Sequence, residues 1–491
     1  MKVTIVSGSQ DNFEVSRTDK LHHIEQLGLD PWGGRFDGHQ PIAQIRALPA
    51  DATPPHHVRA AGRIVQRRDM GKAYFLDLKD WSSDQKIQVH VGQKQVGEVG
   101  WALAQQLDLG DLLGVDGDLG VTRRGELTIF AGAIHMLGKS LLPHPDKWSG
   151  MQDMEYRLRH RYLDLIYSPE VLERSLKRTK IVHCIRSYLD RQGYCEVETP
   201  TLHAIAGGAA ARPFTTHHNA LDINLFLRIA LELHLKRLLV GGMEKVYEIG
   251  RVFRNEGIDA RHNPEFTMLE LYQAYGDYRT MMDLTEGLIV ACVETLGGGL
   301  QLPYGEQTVD YTPPWQRATY AELFHKYAGV PMSDPDAVRA AAEQAGLTTA
   351  NKHPDVVVHE LFEARVENHL AGPVFVYDYP AALCPLTKRR RDDPTLAERF
   401  ELYIQGMELA NAYNELNDPQ TQEATFRMQL AGLPEEESMA RMDEDFVRAL
   451  RYGMPPAGGM GMGIDRLAML LTNTTSIRDV ILFPLLRPEK K

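Results

Sequence analysis

Residues able to bind and polarise a phosphate crowd into one short stretch of this chain: Phe253-Arg254-Asn255-Glu256, a polar passage from Gly257 to Arg261, then His262-Asn263-Pro264-Glu265-Phe266-Thr267. An arginine beside carboxylates and an imidazole suits a site that holds a nucleoside triphosphate and stabilises charge developing on one phosphorus, because a guanidinium can hold two oxygens at once. The alternative is a solvated hairpin loop with an incidental salt bridge. A second arginine, Arg466, follows Gly458-Gly459-Met460-Gly461-Met462-Gly463-Ile464-Asp465 and precedes Leu467-Ala468-Met469-Leu470-Leu471. Glycines allow a backbone to approach a ligand closely, and an arginine at the mouth of a helix can reach a terminal phosphate with help from the positive helix end. The segment lacks the Gly-x-x-x-x-Gly-Lys-Ser/Thr spacing of a P-loop.

These groups need elements that hold them. Val246-Tyr247-Glu248-Ile249 has strand character; beyond the loop, Phe266, Met268, Glu270 and Tyr272 share one face of a period-two pattern, with Leu269 and Leu271 on the other. Together the two runs predict a hairpin with Arg254 and His262 at its tip. The glycine segment predicts a strand entering a buried helix, with Arg466 near the helix start. Far upstream, an amphipathic stretch from Pro169 to Arg191 predicts a helix that ends at Gly193 and hands over to a strand stopped by Pro200.

With 491 residues, 43% of them hydrophobic, the chain can bury a large core and should divide into at least two domains. Nothing resembles a membrane span, and the apolar run near Met1 soon gives way to Asp11, Glu14 and Asp19, too early for a signal peptide. Cys184, Cys195, Cys292 and Cys384 are isolated, which predicts reduced thiols in the cytoplasm rather than metal ligands or a disulfide framework. A formal net charge of −12 argues against nucleic acid as a partner, but the local balance differs. Residues 56–95 carry eight basic side chains against four acidic ones, a local surplus of four positive charges. That stretch alternates as successive strands, Val58 to Val65, Ala73 to Leu78 and Lys86 to Val91, separated by short turns. Short strands with a basic and aromatic face predict an OB-fold, which binds single-stranded nucleic acid by stacking bases on aromatics and tracking phosphates with cations. Taken alone, Phe75 could equally be barrel core.

In chain order, the segment around Gly193 to Pro200, the Arg254 hairpin and the segment from Gly458 to Arg466 resemble motifs 1, 2 and 3 of the class II aminoacyl-tRNA synthetases. Gly207-Gly208-Ala209-Ala210-Ala211-Arg212-Pro213-Phe214, Leu227-Arg228-Ile229-Ala230, Glu232-Leu233 and the run from Glu408 to Asp418 are similar to lysyl-tRNA synthetases in particular, and the resemblance runs from about Asp19 to Pro488. It implies activation of lysine by ATP and transfer of lysine to tRNA. It also implies that Arg254 contacts the α-phosphate and carboxylate, Glu256 and His262 the nucleotide, Phe266 the adenine ring and Arg466 the γ-phosphate. Glu232 and the Gly208 carbonyl would take the α-amino group, Asn411 the carboxylate, and Glu270, Tyr272 and Glu415 the ε-ammonium. Aspartyl and asparaginyl relatives would be expected to turn an arginine toward the substrate side chain, where this chain offers Glu415. Glu401 and Glu408 match the magnesium-binding carboxylates of the family. Phe400, Leu402, Tyr403 and Ile404 mark a buried strand in which an unpaired Glu401 would be costly without a cation. In the barrel, Arg67, Phe75 and Gln88 match the positions that read the anticodon. Four positions depart from common bacterial versions: Ala412, Tyr413, Leu231 and Cys384.

The expected fold is α+β: an N-terminal OB-fold β-barrel followed by a class II synthetase catalytic domain built on an antiparallel β-sheet flanked by helices. Expected boundaries are an N-terminal extension and helix at 1–55, the barrel at 56–140, a linker and the start of the catalytic domain at 141–168, and the catalytic domain at 169–491 with a helical insertion around 329–352. The resemblance further implies a homodimer, with the helix and strand around Gly193 to Pro200 forming much of its interface. A rival reading is a paralogue that transfers lysine to a protein side chain such as that of elongation factor P; such relatives lack the barrel. A second rival is a nucleic-acid-binding module without activity, which the intact Arg254, Arg466, Glu401 and Glu408 oppose.

Overall fold

The computed structural model describes residues 7–143, 152–205, 207–208, 211–384, 386–431 and 442–489. His144 to Trp148 of the proline-broken linker, and Ala209 and Ala210, lie outside the described residues. The chain forms two compact units, residues 1–157 with 162–172, and residues 158–161 with 173–491.

In the first unit, β1 (His57–Asp69), β2 (Ala73–Lys79), β3 (Ile87–Gly92), β4 (Leu112–Val121) and β5 (Leu127–Gly138) close into a barrel in the order β1-β2-β3-β5-β4. Strand alternation sends Ile64, Leu76, Leu78, Val89, Leu113 and Ile129 into the barrel core and leaves the intervening residues outside. Closure depends on the parallel pairing of β3 with β5, which spans a long stretch of intervening chain. The helix Ser7–Gln26 belongs to this unit: Arg17 donates to the carbonyls of Ser140 and Leu142, and Lys20 pairs with Asp108. Lys139, buried, pairs with both Asp108 and Asp111, so the acidic groups of that corner are compensated.

The second unit is built on an eight-stranded sheet. Its strands are β6 (Cys195–Glu196), β7 (Lys245–Phe253), β8 (Glu265–Ala274), β9 (Gln316–Thr319), β10 (Val374–Pro380), β11 (Leu396–Ile404), β12 (Met407–Asn414) and β13 (Ala457–Gly463), in the spatial order β9-β10-β11-β12-β13-β8-β7-β6. The central pairings are antiparallel as expected, whereas both edge pairings, β7 with β6 and β9 with β10, are parallel. Helices Pro169–Arg191, Tyr278–Leu296 and Ile464–Leu471 pack their apolar residues on this sheet in one continuous core. The first ends as the sequence predicts, with Gly193 at φ +81°, a left-handed conformation that a side chain would strain. Residues around 329–352 contain the helix Pro335–Gln344, which together with Pro354–Arg365 encloses a satellite core.

Two buried contacts tie the three motif segments together. Asp465 accepts from Arg178, on the helix Pro169–Arg191, and from the backbone N–H of Thr267 on β8. Arg228 pairs with Glu248 on β7 at 2.6 Å and donates to the Thr199 carbonyl. Neither pair is visible as a pair in the sequence, because the partners are far apart along the chain.

Candidate active site

A cavity of about 300 Å³ opens on the sheet face, lined by Gly208, Glu232, Arg254, Glu270, Tyr272, Asn411 and Glu415 among others. All six lysine-binding candidates therefore border one cavity, together with Arg254. The register explains the convergence: Tyr272 lies opposite Gly459, Glu270 opposite Gly461, and Asn411 opposite Gly461 from the other side. Gly459 and Gly461 line the cavity, and Gly459 has a further purpose. A Cβ at Gly459 would lie 1.9 Å from Glu415 Oε1 and 2.5 Å from the Tyr272 ring, so this glycine makes room for the protein's own pocket side chains.

Buried carboxylates form a wall of the cavity. Glu270 is 5% exposed; its Oε1 accepts from the Leu231 N–H and its Oε2 from the Tyr272 hydroxyl. Burial, and then the charge of Glu232, push its pKa up to about 7. Glu232 accepts from Lys236 through Oε1 and from the Tyr413 hydroxyl, 2.9 Å away, through Oε2. Glu415 is fully buried; its Oε2 forms an ion pair with Lys236, while its Oε1 has no hydrogen-bond partner. Burial outweighs the pull of Lys236 and raises Glu415 to about 8. A buried acceptor atom without a donor is uncommon and costly, so Glu415 Oε1 is an acceptor left open in the cavity lining.

Arg254 lines the same cavity. Its Nε lies 3.5 Å from the Ile229 carbonyl and its guanidinium 5.2 Å from the centre of the Phe266 ring, and it forms no ion pair with any described residue. The hairpin is held instead by its backbone, with Arg254 N–H donating to the Pro264 carbonyl at 2.8 Å. The incidental salt bridge is therefore absent among the described residues, and the guanidinium is free to bind an anion. Near the tip, His262 is held by Asp259 through Nδ1, and its Nε2 lies 3.1 Å from Arg466 Nη2. Arg466 also donates to the Glu408 carbonyl at 2.6 Å. Glu256 is exposed on the same loop with no side-chain partner among the described residues. Arg466 and His262, far apart in sequence, are thus brought together.

Glu401 and Glu408 lie on adjacent strands β11 and β12, but their environments differ from the expectation. Glu401 is buried without being unpaired: Arg399 donates to Oε1, and the hydroxyls of Tyr379 and Tyr403 donate to Oε2 at 2.8 and 2.6 Å. The cation that its burial demanded is Arg399. Glu408 is half-buried, accepts a long hydrogen bond of 3.3 Å from Asn411, and has its pKa raised by burial and by the charge of Glu401. Among the described residues no group of three or more His, Cys, Asp or Glu side chains could cage a metal. Two carboxylates fit a magnesium ion that takes most of its ligands from phosphate and water.

In the barrel, Phe75 faces outward while its neighbours Tyr74 and Leu76 enter the core. It lies opposite His90, which lies opposite Phe130, and the rings form a strip with centroids 5.1 and 5.5 Å apart. Burial lowers the His90 pKa, so the strip is uncharged near neutral pH. Arg68, opposite Phe75 on β1, lies over its ring, whereas Arg67 lies over Tyr74. Gln88 is largely buried and its Oε1 accepts from Thr128. The structure thus adds His90, Phe130 and Arg68 to the face marked by Phe75. In the cavity it adds Lys236 and Tyr413, behind and beside Glu232, and Cys384 and Arg399 in the lining. Strand periodicity could have indicated Phe130, and helical i,i+4 spacing the pairing of Lys236 with Glu232, but nothing local signals its contact with Glu415.

Residues 153–487 match the family model described as tRNA synthetases class II (D, K and N), and residues 58–137 match the OB-fold nucleic acid binding domain. The chain is 49% identical over 488 residues to the lysine–tRNA ligase of Moorella thermoacetica, covering 98% of this chain and 99% of that one. It is 49% identical to the lysine–tRNA ligase of Shouchella clausii, covering 96% of each chain. It is 48% identical to that of Carboxydothermus hydrogenoformans, covering 96% of this chain and 97% of the other.

Proposed function

The chain belongs to the class II tRNA synthetases of the D, K and N group, and from that premise we propose that it is a lysine–tRNA ligase, which joins L-lysine to ATP as lysyl-adenylate with release of pyrophosphate and then transfers lysine to the 3′-terminal adenosine of tRNA(Lys). The observation that carries this reading is one cavity lined by three buried carboxylates, Glu232, Glu270 and Glu415, together with Arg254, which has no ion pair among the described residues. Lysine carries the complementary charges, two ammonium groups and one carboxylate.

Glu232 and the Gly208 carbonyl receive the α-ammonium, while Glu270, Tyr272 and Glu415 receive the ε-ammonium and Asn411 orients the carboxylate. Arg254 holds the lysine carboxylate and the α-phosphate together and neutralises charge as the carboxylate oxygen attacks phosphorus, so the rate gain comes from positioning and preorganised charge. Phe266 supports adenine, Glu256 and His262 position the nucleotide, and Arg466 takes the γ-phosphate, braced by His262 and the Glu408 carbonyl. Magnesium, when bound with ATP, would be held by Glu408 and by the remaining acceptor capacity of Glu401, and would offset phosphate charge.

The outward strip of Phe75, His90 and Phe130, flanked by Arg68, supports the anticodon loop of tRNA as the barrel's ligand, with Arg67 and the Gln88 amide reading base edges. A protein-modifying paralogue would have no use for this face. The exposed two-residue edge strand Cys195–Glu196 supports a homodimer interface there, and the enzyme would act in the cytoplasm. No described helix is long and apolar enough to cross a membrane. Lysine-dependent exchange of labelled pyrophosphate into ATP, with aspartate and asparagine inert, tests the reaction. Charging of unfractionated tRNA with lysine tests the acceptor. Exchange that ran equally well with aspartate would sink the reading.

A further inference from the structure

Two of the three pocket carboxylates share a cation that never faces the substrate. Lys236 follows Glu232 by one helical turn on Glu232–Val240, which places both side chains on one helix face. It is wholly buried, donates to Glu232 Oε1 at 2.5 Å and forms an ion pair with Glu415 Oε2. Glu232 and Glu415 line the cavity, whereas Lys236 does not, so it reaches them from behind. Its ammonium lies 5.6 Å from the Tyr413 ring centre and 6.0 Å from that of Tyr272.

Resting on the lysine-activating reading of this cavity, we infer that Lys236 is a positioning residue that sets the charge of the amino-acid pocket: its ammonium bridges Glu232 and Glu415 from behind, keeps both carboxyl groups aligned, and offsets one of three carboxylate charges when a substrate with two ammonium groups is bound. Like charges confined to one dry cavity cannot all ionise, so without a backing cation the wall would take up protons and lose acceptors. The groups around the cation pull in that direction. Glu232 comes from the same helix, Glu270 and Tyr272 from β8, Tyr413 from the end of β12, Glu415 just beyond it, and Lys388 and Arg254 stand at greater distance. Burial works against the Lys236 ammonium, but Glu232 and then Glu415 outweigh it and raise its pKa. A bystander ion pair would also leave Lys236→Met less stable, because its buried partners lose their cation, but it would leave the pH dependence of lysine use unchanged.

The test compares Lys236→Met, which keeps length and loses charge, with Lys236→Arg, which keeps charge and strains the fit. Pyrophosphate exchange is measured against lysine concentration across a range of pH in the full-length enzyme. For Lys236→Met the KM for lysine should rise by about 30-fold or more near neutral pH, the lower end of what breaking a buried charge pair costs, with the KM for ATP nearly unchanged. The acid limb of kcat/KM for lysine should move to higher pH. Lys236→Arg should keep the acid limb of the wild type even if its melting temperature falls, and this variant decides the matter where Lys236→Met fails to fold. A packing role predicts the reverse ranking, with Met harmless and Arg damaging at every pH. An unchanged acid limb in Lys236→Met, or tighter lysine binding by it, would overturn the inference. Failure of the wild type to exchange with lysine would instead overturn the proposed reaction.

Discussion

The carboxylate wall of the cavity and the aromatic strip of the barrel both recognise a ligand with a handful of side chains, and they do so under opposite dielectric conditions. Glu415 is wholly buried, and that burial raises its pKa to about 8. Phe130 is 38% exposed, and the rings beside it offer surface rather than charge. Inside the cavity a single charge is unscreened and must be matched by another, so selectivity comes from counting charges. On the barrel each ring contributes a modest stacking energy, which any base can receive, and specificity needs several such contacts together. One site should fail all at once when one residue changes, and the other should degrade by steps.

The sharpest way to break this contrast is Glu415→Gln. Removing one carboxylate from a desolvated ammonium should cost about 2–5 kcal/mol in lysine activation, with ATP affinity largely kept. A KM for lysine and a turnover equal to wild type in pyrophosphate exchange would mean that Glu415 does not meet the substrate. Arg254→Lys comes next. It keeps the charge but removes the planar fork, so single-turnover adenylate formation should slow by about two decades or more. Because Arg254 has no ion pair with a described residue, its melting temperature should move little. A near-normal rate in a less stable variant would return Arg254 to a structural role.

The pocket should also respond to pH. With Glu270 raised to about 7 and Glu415 to about 8, the free pocket holds protons that the ammonium groups of lysine must displace. Raised carboxyl pKa values give the folded, ligand-free protein extra stability that is present at low pH and lost as pH rises from the ordinary value of 4.5 through 7 and 8. Lysine binding has the opposite dependence, so the rise in melting temperature produced by saturating lysine should grow between about pH 6 and pH 8. A shift independent of pH over that window would show that the wall is already ionised. The smallest effect belongs to the barrel. Phe75→Ala should cost about 1–3 kcal/mol in tRNA charging, Phe130→Ala no more than that, and neither should alter adenylate formation. Equal loss in both reactions would mark Phe75 as a support of the barrel.

The local elements were readable because periodicity is a local property. Alternation in Phe266 to Tyr272 defined which side chains share a face, the glycine at 193 marked a helix end, and Tyr74, Phe75 and Leu76 alternate so that only the middle ring faces out. The wall of the cavity could be named from resemblance, but its workings could not. Lys236 meets Glu415 across 179 positions of chain because helix, strand ends and sheet register deliver them to one place. Glu401 likewise looked like a carboxylate in need of a metal until Arg399, Tyr379 and Tyr403 proved to surround it. Sequence by itself determined the hairpin tip, the glycine strand, the barrel strands and the set of charged residues available for chemistry. Only the tertiary structure decided which of those charges neutralise one another and which are left for the substrate, since that depends on distances of a few ångströms between segments that no local pattern relates.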